Sequence, residues 1–267
     1  MAKIEIGTAG WDYNDWVGSF YPKQLERVHR LEFFSKYFDL VEINSTFYNI
    51  PTIDMIKNWE KRVPENFRFI VKVWQKITHN LDDPELDLNI TNFFSILTHL
   101  KIKVIAFLLQ FPPWFKYTDN HFGKMKSLIN ELPSGYRYII EFRDNSWFNP
   151  EILSKLIDGN KIILGTTYMP GIKPYYLEDQ YYYYIRLIGD RKLTVFNRIQ
   201  RDQEKVLKNL YENVQKLLKT PEVSEIFIIV NNHFQGSAPE SVNNLRKKFD
   251  ISFHSHNPQK DLTEFIK

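Results

Sequence analysis

Apolar positions fall into eight short runs separated by amphipathic stretches. The runs are KIEIGT (3–8), LVEINS (40–45), FRFIVKVW (67–74), VIAFLLQF (104–111), RYIIEFR (137–143), KIILGTT (161–167), YYYYIRLIG (181–189) and EIFIIVNN (225–232). Most lack strict apolar–polar alternation, the pattern of parallel strands covered on both faces. Between them, 3.6-residue spacing predicts helices over 25–38, 52–62, 86–100, 121–132, 150–157, 201–219 and 238–249. Pro51-Thr52 and Asn149-Pro150 are suitable helix starts. Only the gap after the sixth run, 168–180, shows no helical period, and its Pro and Gly residues predict a loop.

Regular strand–helix alternation implies βαβ units and a parallel sheet. Eight such units in 267 residues predict an α/β fold of the (β/α)8 TIM type, as one domain over 1–267. The rival, a doubly wound open sheet, would carry a glycine-rich dinucleotide turn after the first strand. GTAGWDYNDWVG (7–18) lacks the G-x-G-x-x-G pattern.

Polar residues inside the apolar runs need an explanation. Glu42 and Asn44 lie two apart in a strand and so share a face. A carboxylate in a dry core is costly unless it is paired or wet. In a barrel, alternate residues point inward and the carboxyl ends of the strands form the mouth. Almost every run becomes polar or aromatic at that end. Trp11 follows the first run, and Glu42 and Asn44 end the second. Lys72 and Trp74 end the third, Gln110 the fourth, Glu141 and Arg143 the fifth, and Thr166-Thr167 the sixth. The seventh contributes Arg186 and the eighth Asn231, Asn232 and His233. No comparable set is expected at the amino ends.

These positions suggest a chemistry. Glu42 and Glu141, on the second and fifth strands, can face one another and divide acid and base duties. His233 and His79 are further proton-shuttle candidates. Lys72, Arg143 and Arg186 set three cations against two carboxylates, which favours an anionic small-molecule ligand bearing a sugar or phosphate. Arg143 is expected to grip the anion while Glu141, about 6.6–7 Å away along the strand and one layer deeper, handles a proton beneath it, so the two need not pair directly. Trp11, Trp74, Trp114 and Trp147 at the mouth can stack on a ligand, and Asn44, Gln110, Asn231 and Asn232 can bond to it. The largest polar pocket is expected to be lined by Glu42, Asn44, Lys72, Glu141, Arg143 and Arg186. A purely structural alternative makes the same charges internal ion pairs, Glu42–Lys72 and Glu141–Arg186.

Composition narrows the options. There is no cysteine, which excludes disulfides, thiolate metal sites and a cysteine nucleophile. With few, dispersed histidines, neither a zinc site nor a cofactor is expected. A formal charge of +3 permits nucleic acid as a partner but shows no dense basic run, so phosphodiester chemistry ranks second and non-catalytic metabolite binding third. The opening MAKIEIGTAG lacks the apolar core of a signal peptide, and no apolar run reaches the length of a membrane span. A cytoplasmic protein with no membrane partner is therefore expected; composition leaves the oligomeric state open.

IGTAGWDYNDWVGSFYP, VEINSTFYNIP, WEKRVPENFRFIVKV, KITHNL, LLQFPPWF, IEFRDNSWF and IIVNNHFQGSAP extend from residue 6 to 239. Through these segments the chain resembles the YecE-like proteins, domain-of-unknown-function family seventy-two. The resemblance implies a TIM-type barrel and brings no reaction with it. Kinship with endonuclease-IV-like or xylose-isomerase-like barrels would be an analogy of fold, not of activity. GDRKLTVFNRIQ (189–200) does not align with the family pattern, and neither it nor 168–180 is given a role.

Overall fold

The structure, a computed structural model, describes residues 2–100 and 102–253. Eight strands form in the expected places: β1 (Lys3–Ala9), β2 (Leu40–Ile43), β3 (Arg68–Lys72), β4 (Val104–Gln110), β5 (Tyr138–Glu141), β6 (Ile162–Tyr168), β7 (Tyr182–Leu187) and β8 (Glu225–Val230). They pair in parallel, in sequence order, and β8 returns to β1 to close the barrel. The expected single domain included residues 254–267, which lie outside the described residues. Among the described residues, no helix is long and apolar enough to cross a membrane.

The helices are α1 (Arg30–Phe34), α2 (Ile53–Lys61), α3 (Gln75–Thr78), α4 (Leu86–Leu97), α5 (Asp119–Glu131), α6 (Pro150–Leu153), α7 (Glu204–Leu218), α8 (Asn232–Gln235) and α9 (Ala238–Lys248). Thr52 and Thr118 cap α2 and α5 by accepting from Met55 N and His121 N. No helix follows β6, as the composition of 168–180 predicts. The helix expected over 25–38 shrinks to a 3-10 turn at Arg27–His29 and the short α1. Ser35 ends it, its hydroxyl bonding back to Glu32 O at 2.9 Å. The chain then turns so that Phe38 stacks on Phe34, ring centroids 4.6 Å apart. The short α3 and α8 follow β3 and β8 directly and lack a helical period long enough to read.

Two apolar layers result. Between strands and helices lies an aromatic-rich shell that includes Trp16, Phe34, Phe69, Phe107, Phe142 and Trp147, all buried. Inside the barrel, Ala9, Leu40, Ile70, Leu108, Ile139, Ile163, Tyr184, Phe227 and Ile229 fill the middle. A Cβ on Gly7 would stand 2.2 Å from Leu40 O, so glycine there lets β1 and β2 approach.

The amino end is not bare, contrary to expectation. Arg68 Nη1 donates to Glu5 Oε1 at 2.7 Å and to Glu225 Oε1 at 2.6 Å, and Arg137 lies 3.3 Å over the Tyr182 ring. Burial would raise the Glu225 carboxyl, but Arg68 outweighs it and holds the group below the ordinary range. The inward parity that places Glu42 at the top also turns Glu5 and Arg68 inward at the bottom. There the barrel axis opens to water and long charged side chains can close it.

Candidate functional site

Strand parity brings one charged network to the carboxyl end of the barrel. On β2, β3 and β5, successive inward positions are Leu40 then Glu42, Ile70 then Lys72, and Ile139 then Glu141; on β7, Tyr184 precedes Arg186. In each case the apolar or aromatic member sits in the barrel's middle and the charged member above it. Glu42, Lys72, Glu141, Arg143 and Arg186 are all buried.

Arg186 is the hub. Its Nη2 donates to Glu42 Oε1 at 2.5 Å and to Asn44 Oδ1 at 3.2 Å, and its Nη1 reaches Glu141 Oε2 at 3.3 Å. Burial disfavours this charge, yet Glu42 and Glu141 outweigh burial and raise the guanidinium above its ordinary value. Arg143 Nε donates to Glu141 Oε1 at 2.5 Å. The expectation that Arg143 and Glu141 need not pair is therefore corrected. Extended backbone separates their Cα atoms, but the flexible arginine folds back over the shorter glutamate. Burial alone would raise the Glu141 carboxyl; Arg143, then Arg186 and Lys72, reverse that and hold it below the usual glutamate range. These cations favour the ionised form of the carboxylate.

Of the two expected internal pairs, Glu141–Arg186 forms and Glu42–Lys72 does not. Glu42 instead takes Arg186 on one oxygen and the Tyr184 hydroxyl on the other. Tyr184 was missed in the sequence, although it stands two residues before Arg186 and shares its face. Lys72 Nζ donates to Gln110 Oε1 at 2.9 Å and lies 3.8 Å from the Phe47 ring centroid. Among the described residues no carboxylate forms an ion pair with it. Burial, then the charge of Arg186, push this amine down to about 7, with Glu141 and Glu42 opposing. Among the described residues, Arg186 Nε and Thr167 Oγ1 are buried without a hydrogen-bond partner. Thr167 and Arg186 are register partners on β6 and β7. Among the described residues, Arg143 Nη1 has only the Met169 thioether as acceptor, at 2.7 Å, a weak one.

His79 is half-buried near this group, its Nδ1 2.8 Å from Thr78 Oγ1 and its ring 5.2 Å from Phe47 and 6.4 Å from Trp114. Burial, then the Lys72 charge, lower it to about 4, so it is neutral at physiological pH. Trp114 is exposed on the rim, and Trp74 is half-buried beneath Lys76, whose Nζ lies 4.9 Å from its ring.

Other expected residues have structural duties. Trp147 is buried, stacked on Phe142 at 4.2 Å, with Nε1 donating to Phe115 O at 2.7 Å. It braces the loops after β4 and β5 from the outer shell and does not face the mouth. Asn231 caps α8 by accepting from His233 N at 3.0 Å. Asn232 Oδ1 accepts from Trp16 Nε1 at 3.1 Å and Ala238 N at 3.0 Å. His233 packs edge-on against Phe196, 4.8 Å away, and among the described residues it bonds to none of the network's side chains. Burial, then Arg191 and Arg201, push its ring below the ordinary value. These three depart from the barrel parity because the chain has already left β8 and turned into α8.

A cleft of about 750 Å³ adjoins the network, lined in part by Trp11, Asn44, Met55, Asn58, Trp59 and Arg62. Of the six side chains expected to line the largest polar pocket, only Asn44 lines this cleft; Glu42, Glu141, Arg143 and Arg186 are packed together within the barrel by ion pairs, and Lys72 is held there by Gln110. A smaller cavity of about 540 Å³ lies outside the barrel between α4 and α5 and touches none of these residues. Among the described residues, no three His, Asp or Glu side chains are grouped as metal ligands.

Residues 5–263 match the model of the family described as "Protein of unknown function DUF72", and the chain belongs to that family. It is 32% identical over 156 residues to the UPF0759 protein YunF of Bacillus subtilis, covering 55% of this chain and 53% of that protein. It is 25% identical over 145 residues to the UPF0759 protein YecE of Escherichia coli K12, covering 54% and 50%. The aligned region thus spans about half the length of these curated relatives. A DUF72 family protein of Thermotoga maritima superposes with TM-score 0.77 at 25% identity, covering 93% of this chain and 99% of that one. One from Enterococcus faecalis superposes with TM-score 0.74 at 23% identity, covering 96% and 98%, a likeness of fold.

Proposed function

For this member of the DUF72 family we propose an acid/base enzyme that binds an anionic small molecule at the barrel mouth, with Lys72 as the proton-handling group. The observation that carries this reading is the division of partners. Both buried carboxylates are engaged by arginines, while Lys72 is left with a neutral amide and an aromatic face. A buried amine with no counter-ion gives up its proton easily and can act as a base near neutrality. Arg143, with a thioether under Nη1, and Thr167, with an unpartnered hydroxyl, offer donors to an incoming anion. Glu42 and Glu141 serve as fixed charges that orient Arg186 and Arg143.

Ligand-observed NMR in deuterated buffer tests this reading with a panel of sugar phosphates and sugar acids. An anion that binds should exchange a carbon-bound proton for deuterium, or turn over, with wild type and not with Lys72→Met. Arg143→Gln should weaken binding about tenfold or more, the worth of a charge-assisted hydrogen bond. Anions that bind without exchange or turnover would favour the non-catalytic binding protein. Failure of every anion to bind would remove the reading.

A further inference from the structure

We propose that the cleft beside the mouth is the specificity subsite for a heteroaromatic base, so that the ligand is a nucleoside monophosphate with its phosphate at the Arg143 end. This rests on the anion-binding reading of the mouth and names the substrate class for it.

The cleft provides a platform for a planar group. Trp11 is half-buried and held edge-to-face against Trp59, ring centroids 5.5 Å apart and planes at 86°. The Tyr21 hydroxyl donates to the Trp11 carbonyl and fixes the platform's backbone. Exposed Met55 adds a polarisable apolar wall. Such a surface gains from a flat π-system more than from a sugar ring or an alkyl chain.

Charge in the cleft is unbalanced towards cations. The two Asp12 oxygens are taken by Arg27 Nε at 2.7 Å and Arg30 Nη1 at 2.7 Å. Arg62 has no carboxylate partner among the described residues; its Nη1 stands 3.5 Å from His29 Nδ1. A guanidinium with no carboxylate partner among the described residues, lining one cleft with two indoles, suits the carbonyl oxygens and ring nitrogens of a base, and Asn58 lines the same cleft.

Asn44 links the two places. It lines the cleft, and its Oδ1 accepts from Arg186 Nη2. Among the described residues its NH2 meets no acceptor, so it can serve a ligand that spans cleft and mouth. The cavity's volume lies in the usual range of small-molecule sites, roughly 300–1,000 Å³. A cleft at one side of a barrel mouth, with Trp11, Asn44 and Arg62 gathered in it, fits a monomer better than a strand, which would need a basic track leading away.

Calorimetry with ribose 5-phosphate, the four common nucleosides and their monophosphates tests the proposal. At least one monophosphate should bind about tenfold more tightly than ribose 5-phosphate, the increment of one base–aromatic stack. Trp11→Ala should reduce that nucleotide to the affinity of ribose 5-phosphate, while Trp11→Phe keeps most of the advantage. Melting curves establish that both variants are folded. If nucleotides bind no better than ribose 5-phosphate, or Trp11→Ala leaves the difference intact, the cleft is not a base site. The mouth reading would then survive where Arg143→Gln still weakens ribose 5-phosphate. If nucleosides bind as tightly as nucleotides and Arg143→Gln changes neither, the base site stands and the mouth reading falls. A single-stranded oligonucleotide that binds more than tenfold tighter than any monomer would replace the small-molecule occupant by nucleic acid.

Discussion

Lys72→Met is the sharpest perturbation of the barrel mouth, because methionine keeps an unbranched apolar stem and removes only the amine. The amine titrates at 10.5 in an unfolded chain and at about 7 when folded. At acid pH both states carry the proton, and the native state bears the full cost of a buried ammonium. Between the two values the unfolded chain binds a proton that the native protein does not, so wild-type stability rises with pH through that window. Each tenfold loss of proton affinity is worth about 1.4 kcal/mol, which sets an upper figure of about 5 kcal/mol for the whole displacement. Against this, Gln110 Oε1 loses its donor in the variant, a cost of about 1–3 kcal/mol that does not vary with pH. The pH-dependent part is therefore the readout. Urea unfolding of both proteins at about pH 6, 7.5 and 9 should show the variant's relative stability falling by about 2–3 kcal/mol across the series. Carbon-13 NMR of ε-labelled lysine reads the same titration directly. A stability difference that stays flat with pH, or a Lys72 resonance titrating near 10.5, would refute the account of the amine and the proton role built on it.

Glu141→Gln should cost about 3–5 kcal/mol at neutral pH, because Arg143 and Arg186 lose a buried counter-charge. Since the Glu141 carboxyl titrates below its ordinary value, its stabilisation is present above the unfolded value and lost as pH falls through the folded one. The variant should accordingly lack that part of the wild-type acid limb in pH-dependent melting, and an unchanged acid limb would contradict the pairing. At the other end of the barrel, Arg68→Met removes the arginine shared by Glu5 and Glu225 and leaves Glu5 with Lys3 as its counter-charge. It should lower stability by about 3 kcal/mol and move the Glu225 carboxyl upward, without altering anion binding measured calorimetrically at the mouth.

The strands and their order were legible because each apolar run is long enough to need burial on both faces, and because helices in between force parallel crossovers. The inward position of Glu42, Lys72, Glu141 and Arg186 followed from period-2 parity, and the same rule applied to YYYYIRLIG would have found Tyr184. It would also have found Glu5, Arg68 and Glu225 at the amino end. Parity ends where the strand ends, so Asn231, Asn232, His233 and Trp147 could not be placed from the pattern; short turns and α8 re-aim them. Pairing was likewise beyond the sequence. Which carboxylate meets which cation depends on the stagger of the strands and the reach of each side chain across the barrel. That geometry gave both glutamates to Arg186 and Arg143, left Lys72 without a counter-ion, and put the open cleft beside Trp11 and Trp59. Sequence by itself determined that charge would gather at the carboxyl-end mouth; only closure of the barrel decided how those charges pair and that Lys72 is left with a neutral partner.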